Sequence, residues 1–166
     1  MNHKTAIVIG AGIVGMSITR ALHTKGWRVT VIERHPKAQG ASVRNFGMVW
    51  PVGQPQGPAF DRAMRSREIW LEMSEKAGFF AEKTGSLHLA YTDLELQVVE
   101  EYVAAMSGIK SAEVLNANQT LQKSPAANPK GLKGGLWTEE ELIIDPREAI
   151  FKTGKYLESL PNVEFV

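Results

Sequence analysis

The sequence predicts an α/β fold that opens on a parallel sheet, and three observations predict it. Residues 6–9 are a short apolar run with β-branched members, glycines stand at 10, 12 and 15 directly after it, and an amphipathic stretch leads into a second apolar run, 28–32, that ends at Glu33. The first run has the composition of a strand buried on both faces.

The glycines follow the strand in G-x-G-x-x-G spacing, the spacing of a dinucleotide-binding turn. Gly10 permits a tight exit from the strand, Gly12 leaves bare backbone for a pyrophosphate to approach, and Gly15 lets the next helix pack close to the sheet. Phosphates would then meet the unpaired N–H groups and positive end of that helix, worth about 0.3–1 kcal/mol per charge at an exposed site. Val14, Ile18, Ala21 and Leu22 recur at helical spacing, and Gly26 after Lys25 ends the helix. Glu33 closes the second strand at about the 20-residue spacing where a carboxylate accepts from adenosine ribose hydroxyls, and it argues against a cofactor with a 2′-phosphate. The alternative is a tight strand-to-helix turn with Glu33 as a solvated strand end.

The residues after Glu33 do not continue a second crossover. Residues 35–58 are dense in Gly, Pro, Ser, Gln and Asn, and a loop this long inside a compact domain binds something or is disordered. Gly40, Ala41, Ser42 and Gly47 allow close approach of backbone to a ligand, while Arg44, Asn45 and Trp50 offer a charge, an amide and an aromatic face. The competing reading is a solvated excursion with Phe46, Met48, Val49 and Trp50 pinned to the core.

Residues 61–77 predict an amphipathic helix with Met64, Trp70, Leu71 and Met73 near one face and Gly78 as its stop. Residues 84–91 read as a strand. Thr92-x-x-Glu95 is a capping box opening a helix that ends before Gly108, and Asn116-x-x-Gln119 opens a short helix ending near Pro125. Residues 131–137 and 141–145 are strand candidates, and the acidic run Glu139, Glu140 and Glu141 between them reads as a solvated bend rather than a metal site, since no histidine completes a ligand set. Asp145-Pro146-Arg147-Glu148 starts a helix that Pro161 breaks, and residues 163–166 open a further strand.

Composition sets the outer bounds. The 166 residues are 43% hydrophobic and 22% charged, ordinary for a soluble globular protein. Nineteen basic and 18 acidic residues are interspersed to a net charge of +1, so there is no field to attract nucleic acid or an anionic membrane. The chain has no cysteine, which removes disulfides and thiolate chemistry and agrees with a cytoplasmic location. The first residues only superficially resemble a signal peptide, and no run approaches membrane-spanning length. His3, His23, His35 and His88 lie in separate segments without Ser, Asp or Glu partners at motif spacing, so hydrolytic catalysis lacks support.

Taken together, AIVIGAGIVGMSITRAL, VTVIERHP, ASVRNFGMVWP and GSLHLAYTDLE resemble the amino-terminal part of the FAD-dependent oxidoreductases of the D-amino-acid oxidase, glycine oxidase and sarcosine oxidase superfamily. RNFGMVWPVGQPQG, RAMRSREIW and TGSLHLAY most resemble a subgroup associated with aminophosphonate breakdown. The resemblance implies a Rossmann-type FAD-binding domain plus part of an α+β substrate-binding domain with an antiparallel sheet. It implies FAD as cofactor, with Gly10, Gly12, Ile13, Val14 and Gly15 at the pyrophosphate and Glu33 and Arg34 at the adenosine. Ala41, Ser42, Asn45, Gly47 and Met48 would run along the ribityl chain and ring. Arg44 and Trp50 are the candidates for contact with substrate, Arg44 because a guanidinium grips a carboxylate or phosphonate bidentately.

The implied domains are a first FAD-binding segment over 1–58, a substrate-domain segment over 59–144, and a return to the FAD-binding domain over 145–166. The resemblance also implies that the chain is truncated and needs a carboxy-terminal half to complete both sites. The expected reaction is oxidation of a small amine or amino acid by hydride transfer to flavin. Two rivals stay open: a nicotinamide-dependent dehydrogenase, against which the loop after Glu33 argues, and a nucleotide-binding subunit without activity of its own.

Overall fold

The computed structural model describes residues 4–36 and 39–166; His3 and the loop residues Lys37 and Ala38 lie outside them. In chain order the elements are β1 (Thr5–Ile9), α1 (Ile13–Thr24), β2 (Arg28–Ile32), β3 (Met48–Val49), α2 (Pro58–Ala77), β4 (Ala81–Glu82), β5 (Ser86–Ala90), α3 (Asp93–Met106), β6 (Ala112–Asn116), α4 (Ala117–Lys123), β7 (Gly134–Thr138), β8 (Leu142–Ile144), α5 (Pro146–Glu158) and β9 (Val163–Phe165). Two 3-10 turns, Ala41–Val43 and Pro51–Gly53, interrupt the long loop. Among the described residues no helix is long and apolar enough to cross a membrane. The chain divides into two compact units, one of Met1–Met48, Glu68–Ala81 and Ile144–Val166, the other of Val49–Arg67 and Glu82–Ile143.

The first unit holds a parallel sheet in the order β1-β2-β9, with Val8 opposite Val31 and Val31 opposite Phe165. Val8, Val29 and Val31 form its core with Ala11, Leu22, Trp27 and Phe165 around them. Met16, Ile150 and Leu157 join α1 to α5 in a second cluster. Each such buried side chain contributes about 1.5–3 kcal/mol. The first strand differs from its reading: Ile7 is 69% and Ile9 86% exposed, because α1 and α5 cover only the opposite face, where Val8 lies. In the same unit Trp70 packs edge-on against Phe79 at 5.9 Å, and Arg20 ties α1 to Glu72 of α2 at 2.5 Å.

The second unit holds an antiparallel sheet in the order β5-β7-β6, with His88 and Val114 both opposite Leu136. The central strand is close-set: a Cβ on Gly134 would lie 2.4 Å from the Leu115 carbonyl oxygen. Both capping boxes form, with the Glu95 N–H donating to Thr92 Oγ1 and the Gln119 N–H to Asn116 Oδ1. The strand over Ala112–Asn116 is an element the sequence reading omits; its side chains do not alternate clearly and its pairing is supplied by β7.

The acidic run is a bend at Glu139 and Glu140, the first exposed and the second half-buried, but its third member is not solvated. Glu141 is 3% exposed; its Oε1 accepts the Val52 N–H at 2.9 Å and its Oε2 accepts the Thr138 hydroxyl. On the other side of the same residue, the Val52 carbonyl accepts from Lys110 Nζ and from the Tyr102 hydroxyl, at 2.9 and 2.8 Å. Burial lowers the Lys110 pKa, and the ammonium rests over the Phe60 ring at 4.6 Å. These bonds satisfy buried groups that would otherwise be costly.

Candidate cofactor site

The turn after β1 is shaped by three glycines for three different reasons. Gly10 adopts φ +95° with open space where a Cβ would stand, and its N–H donates to the Ile32 carbonyl at 2.8 Å. Gly12 is the N-cap of α1 and carries no capping side chain. That cap comes from 29 residues away: Ser42 Oγ accepts the Ile13 N–H at 3.0 Å, and a Cβ on Gly12 would stand 3.1 Å from that hydroxyl. Gly15 sits on the exit of the strand, where a Cβ would come within 1.9 Å of the Gly10 carbonyl oxygen. The first-turn N–H groups of a helix have no intrahelical partners. With Ile13 served by Ser42, those of Val14 and Gly15 remain for an anion beside the bare backbone of Gly12. Ser42→Ala is expected to lower stability by about 1 kcal/mol, and Ser42→Thr to recover most of it, in thermal unfolding.

Glu33 closes the other side. Its Oε2 accepts the Ala11 N–H at 2.8 Å and its Oε1 the His35 N–H at 3.1 Å. These bonds, the Ala11 one foremost, hold its pKa below the usual 4.5, so it is ionised at neutral pH. An ionised carboxylate offers about four lone-pair sites. Two are used, which leaves the others for ribose hydroxyls. Glu33 and Arg34 border one cavity of about 950 Å³, which continues along α5 past Phe151 and Lys155.

The loop residues fall into two groups. Asn45 Nδ2 donates to the Ser42 carbonyl at 2.9 Å, and its Oδ1 accepts the Gly47 N–H at 2.8 Å, so its amide braces the turn over Ala41–Val43. Gly47 adopts φ +70°, and a Cβ there would lie 1.9 Å from the Ile144 carbonyl oxygen. Phe46, Met48 and Trp50 are 93%, 57% and 42% exposed, so the alternative in which they are pinned to the core does not hold. Arg44 borders a cavity of about 740 Å³ with Asn45, Phe80 and Arg147. Trp50 belongs to the other unit, where it stacks on His88 at 5.7 Å.

Sequence reasoning therefore anticipates the glycines, Ile13, Ser42 and Glu33 as neighbours, but it misses Ala11 and His35, whose contribution is backbone N–H and leaves no side-chain signal. It also misses Phe151 and Lys155, which belong to no motif in the sequence and border the cavity only through the packing of α5. The donor set suits a dinucleotide: a cradle without Cβ atoms, free helix N–H groups and an ionised acid with lone pairs to spare.

Comparison with known proteins agrees. An aerobic glycerol-3-phosphate dehydrogenase of Staphylococcus saprophyticus is 28% identical over 149 residues, covering 78% of this chain and 25% of the relative. The L-proline dehydrogenase of P. horikoshii superposes with a TM-score of 0.83 at 26% identity, over 100% of this chain and 44% of that one. Glycine oxidase from Geobacillus kaustophilus has the same fold, with a TM-score of 0.82 at 20% identity over 99% of this chain and 47% of that one. The chain thus spans less than half the length of each of these proteins. The FAD dependent oxidoreductase (DAO) family matches residues 5–160, nearly the whole chain, and this protein belongs to that family.

Proposed function

We propose that the chain forms the dinucleotide cradle and part of the substrate side of a cytoplasmic flavoenzyme that oxidises a small amine or amino acid, with an anionic amine such as an aminophosphonate as substrate. The unit containing β1, β2 and β9 would be the FAD-binding domain and the unit containing β5, β6 and β7 part of the substrate domain. The observation that carries the reading is the Gly12, Ser42 and Glu33 arrangement, in which cap, bare backbone and ionised carboxylate surround one turn. Gly12, Val14 and Gly15 would hold the pyrophosphate and Glu33 the ribose. Bound FAD supplies a two-electron acceptor, so that a substrate C–H bond beside nitrogen gives up a hydride and the resulting imine is hydrolysed to a carbonyl compound. The protein's own part is to hold both partners in place and exclude water.

The anion preference rests on Arg44, which shares its cavity with a second guanidinium, Arg147. The name of the Staphylococcus relative points to a phosphorylated alcohol instead, which keeps a second substrate class in view. Anaerobic mixing of the flavin-loaded protein with an aminophosphonate, a neutral amine and glycerol 3-phosphate separates them by which one bleaches the flavin absorbance. For an anionic amine, Arg44→Ala is expected to raise KM about tenfold or more with little change in kcat, and to leave a neutral amine of similar size nearly unaffected. Bleaching by glycerol 3-phosphate alone would overturn the amine reading.

A further inference from the structure

A buried cation in the unit with the antiparallel sheet is committed to a surface turn, and that turn carries a half-open aromatic ring. We propose that Trp50 is a specificity-determining wall that limits the size of the amine, and that Lys110 is the residue that positions it; the role in substrate choice rests on the amine-oxidising reading above. The indole is 42% exposed, yet it is packed in place. It stacks on His88 with centroids 5.7 Å apart and 28° between the planes, and a Cβ on Gly53 would come within 2.6 Å of it. Gly53 does not adopt a positive φ, so it is the ring and not the backbone that excludes a side chain there.

The turn is held from two directions. Trp50 is the N-cap of the 3-10 turn Pro51–Gly53, whose own closing bond runs from the Gln54 N–H to the Pro51 carbonyl at 3.0 Å. To this the fold adds Glu141 on the Val52 N–H, Tyr102 on the Val52 carbonyl, and Lys110, whose Nζ donates to the Val52 and Gln54 carbonyls, each at 2.9 Å. Lys110 is 8% exposed, and burying an ammonium is costly even where hydrogen bonds offset it. A turn with its own backbone bond does not need that ammonium to close. What the added bonds fix is the direction in which the indole leaves the chain. A ring locked by its supporting shell excludes a bulky substituent, whereas a mobile one yields to it.

The test measures Kd and the limiting rate of flavin reduction, anaerobically and on the flavin-loaded protein, for aminomethylphosphonate and its 1-isopropyl homologue, and likewise for glycine and valine. Wild type is expected to favour the smaller member of a pair. Trp50→Ala and Lys110→Met should each reduce that preference about tenfold, chiefly by tightening Kd for the larger member. Because Lys110 acts through Trp50, the double variant should show no more than either alone. An undiminished preference in either variant, or additive effects, overturns the proposal. Should Lys110→Met lower the melting temperature, the Trp50 indole N–H resonance decides, assigned by its loss in Trp50→Phe. It is expected to be single and sharp in wild type and shifted or broadened in Lys110→Met, and an unchanged resonance overturns the positioning role. A wild-type flavin that none of the four amines reduces would overturn the amine reading and the size wall with it, a result distinct from a preference that merely survives the substitutions.

Discussion

Gly15→Ala is expected to remove about 3 kcal/mol or more of folding stability and to abolish flavin retention with it. The added Cβ would stand 1.9 Å from the Gly10 carbonyl oxygen, 3.1 Å from its carbon and 3.3 Å from Val8 Cγ1. Two of these atoms are backbone of the glycine turn and the third belongs to the sheet core, so none can swing aside. Relief requires α1 to lift from β1, which would strip cover from Met16 and Thr19, 1% and 0% exposed. Overpacking a core typically costs about 1–3 kcal/mol, and backbone collisions fall at or beyond the upper end. Against a domain stability of about 5–15 kcal/mol this is a large fraction. Gly40→Ala is the control, since Gly40 has φ −84° and open space around a Cβ, and it should be neutral or slightly stabilising. Urea unfolding of both variants checks the contrast, and equal midpoints would show that the helix does not rest on the strand exit as described.

The parts of this fold that were legible in the sequence are those whose cause is local. Gly10 and Gly26 stand where φ is +95° and +77°, and Thr92 and Asn116 cap helices through N–H groups three residues on. Each signal and its partner lie within one turn of chain. Where the partner is remote, the reading fails. Glu141 is adjacent to two other acids and looks solvated, yet its burial is decided by the Val52 N–H, 89 residues away. Ser42 is placed near the cofactor by resemblance, but nothing in the sequence shows that its hydroxyl caps Ile13 across 29 residues. Ile7 and Ile9 fail in the other direction, since an apolar run specifies what a strand can bury and not what covers it. The candidate site follows the same division: glycine spacing and acid are visible, while the walls lent by α5 are not.

Glu33 carries the second large effect, because one side chain serves both fold and ligand. Glu33→Ala leaves the Ala11 and His35 N–H groups without acceptors and removes the ribose partner, and hydrogen bonds to a charged group are each worth about 1.5–3 kcal/mol. FAD affinity is expected to fall by about ten- to a hundredfold, and stability to fall as well. Glu33→Gln separates charge from shape: it keeps an acceptor oxygen but not the charge that strengthens these bonds. The sign with pH follows from the direction of the shift. The folded pKa lies below 4.5, chiefly through the Ala11 N–H, so the carboxylate's contribution is complete well above 4.5 and is lost as pH falls through the lower folded value. Wild type should therefore exceed Glu33→Gln in stability at neutral pH, and the gap should close on acidification. A gap that stays constant from neutral pH down to about pH 2 would mean that the charge on Glu33 does not hold the glycine turn. The turn would then owe its shape to Gly10, Gly15 and Ser42 alone, and Glu33 would be left with the ribose.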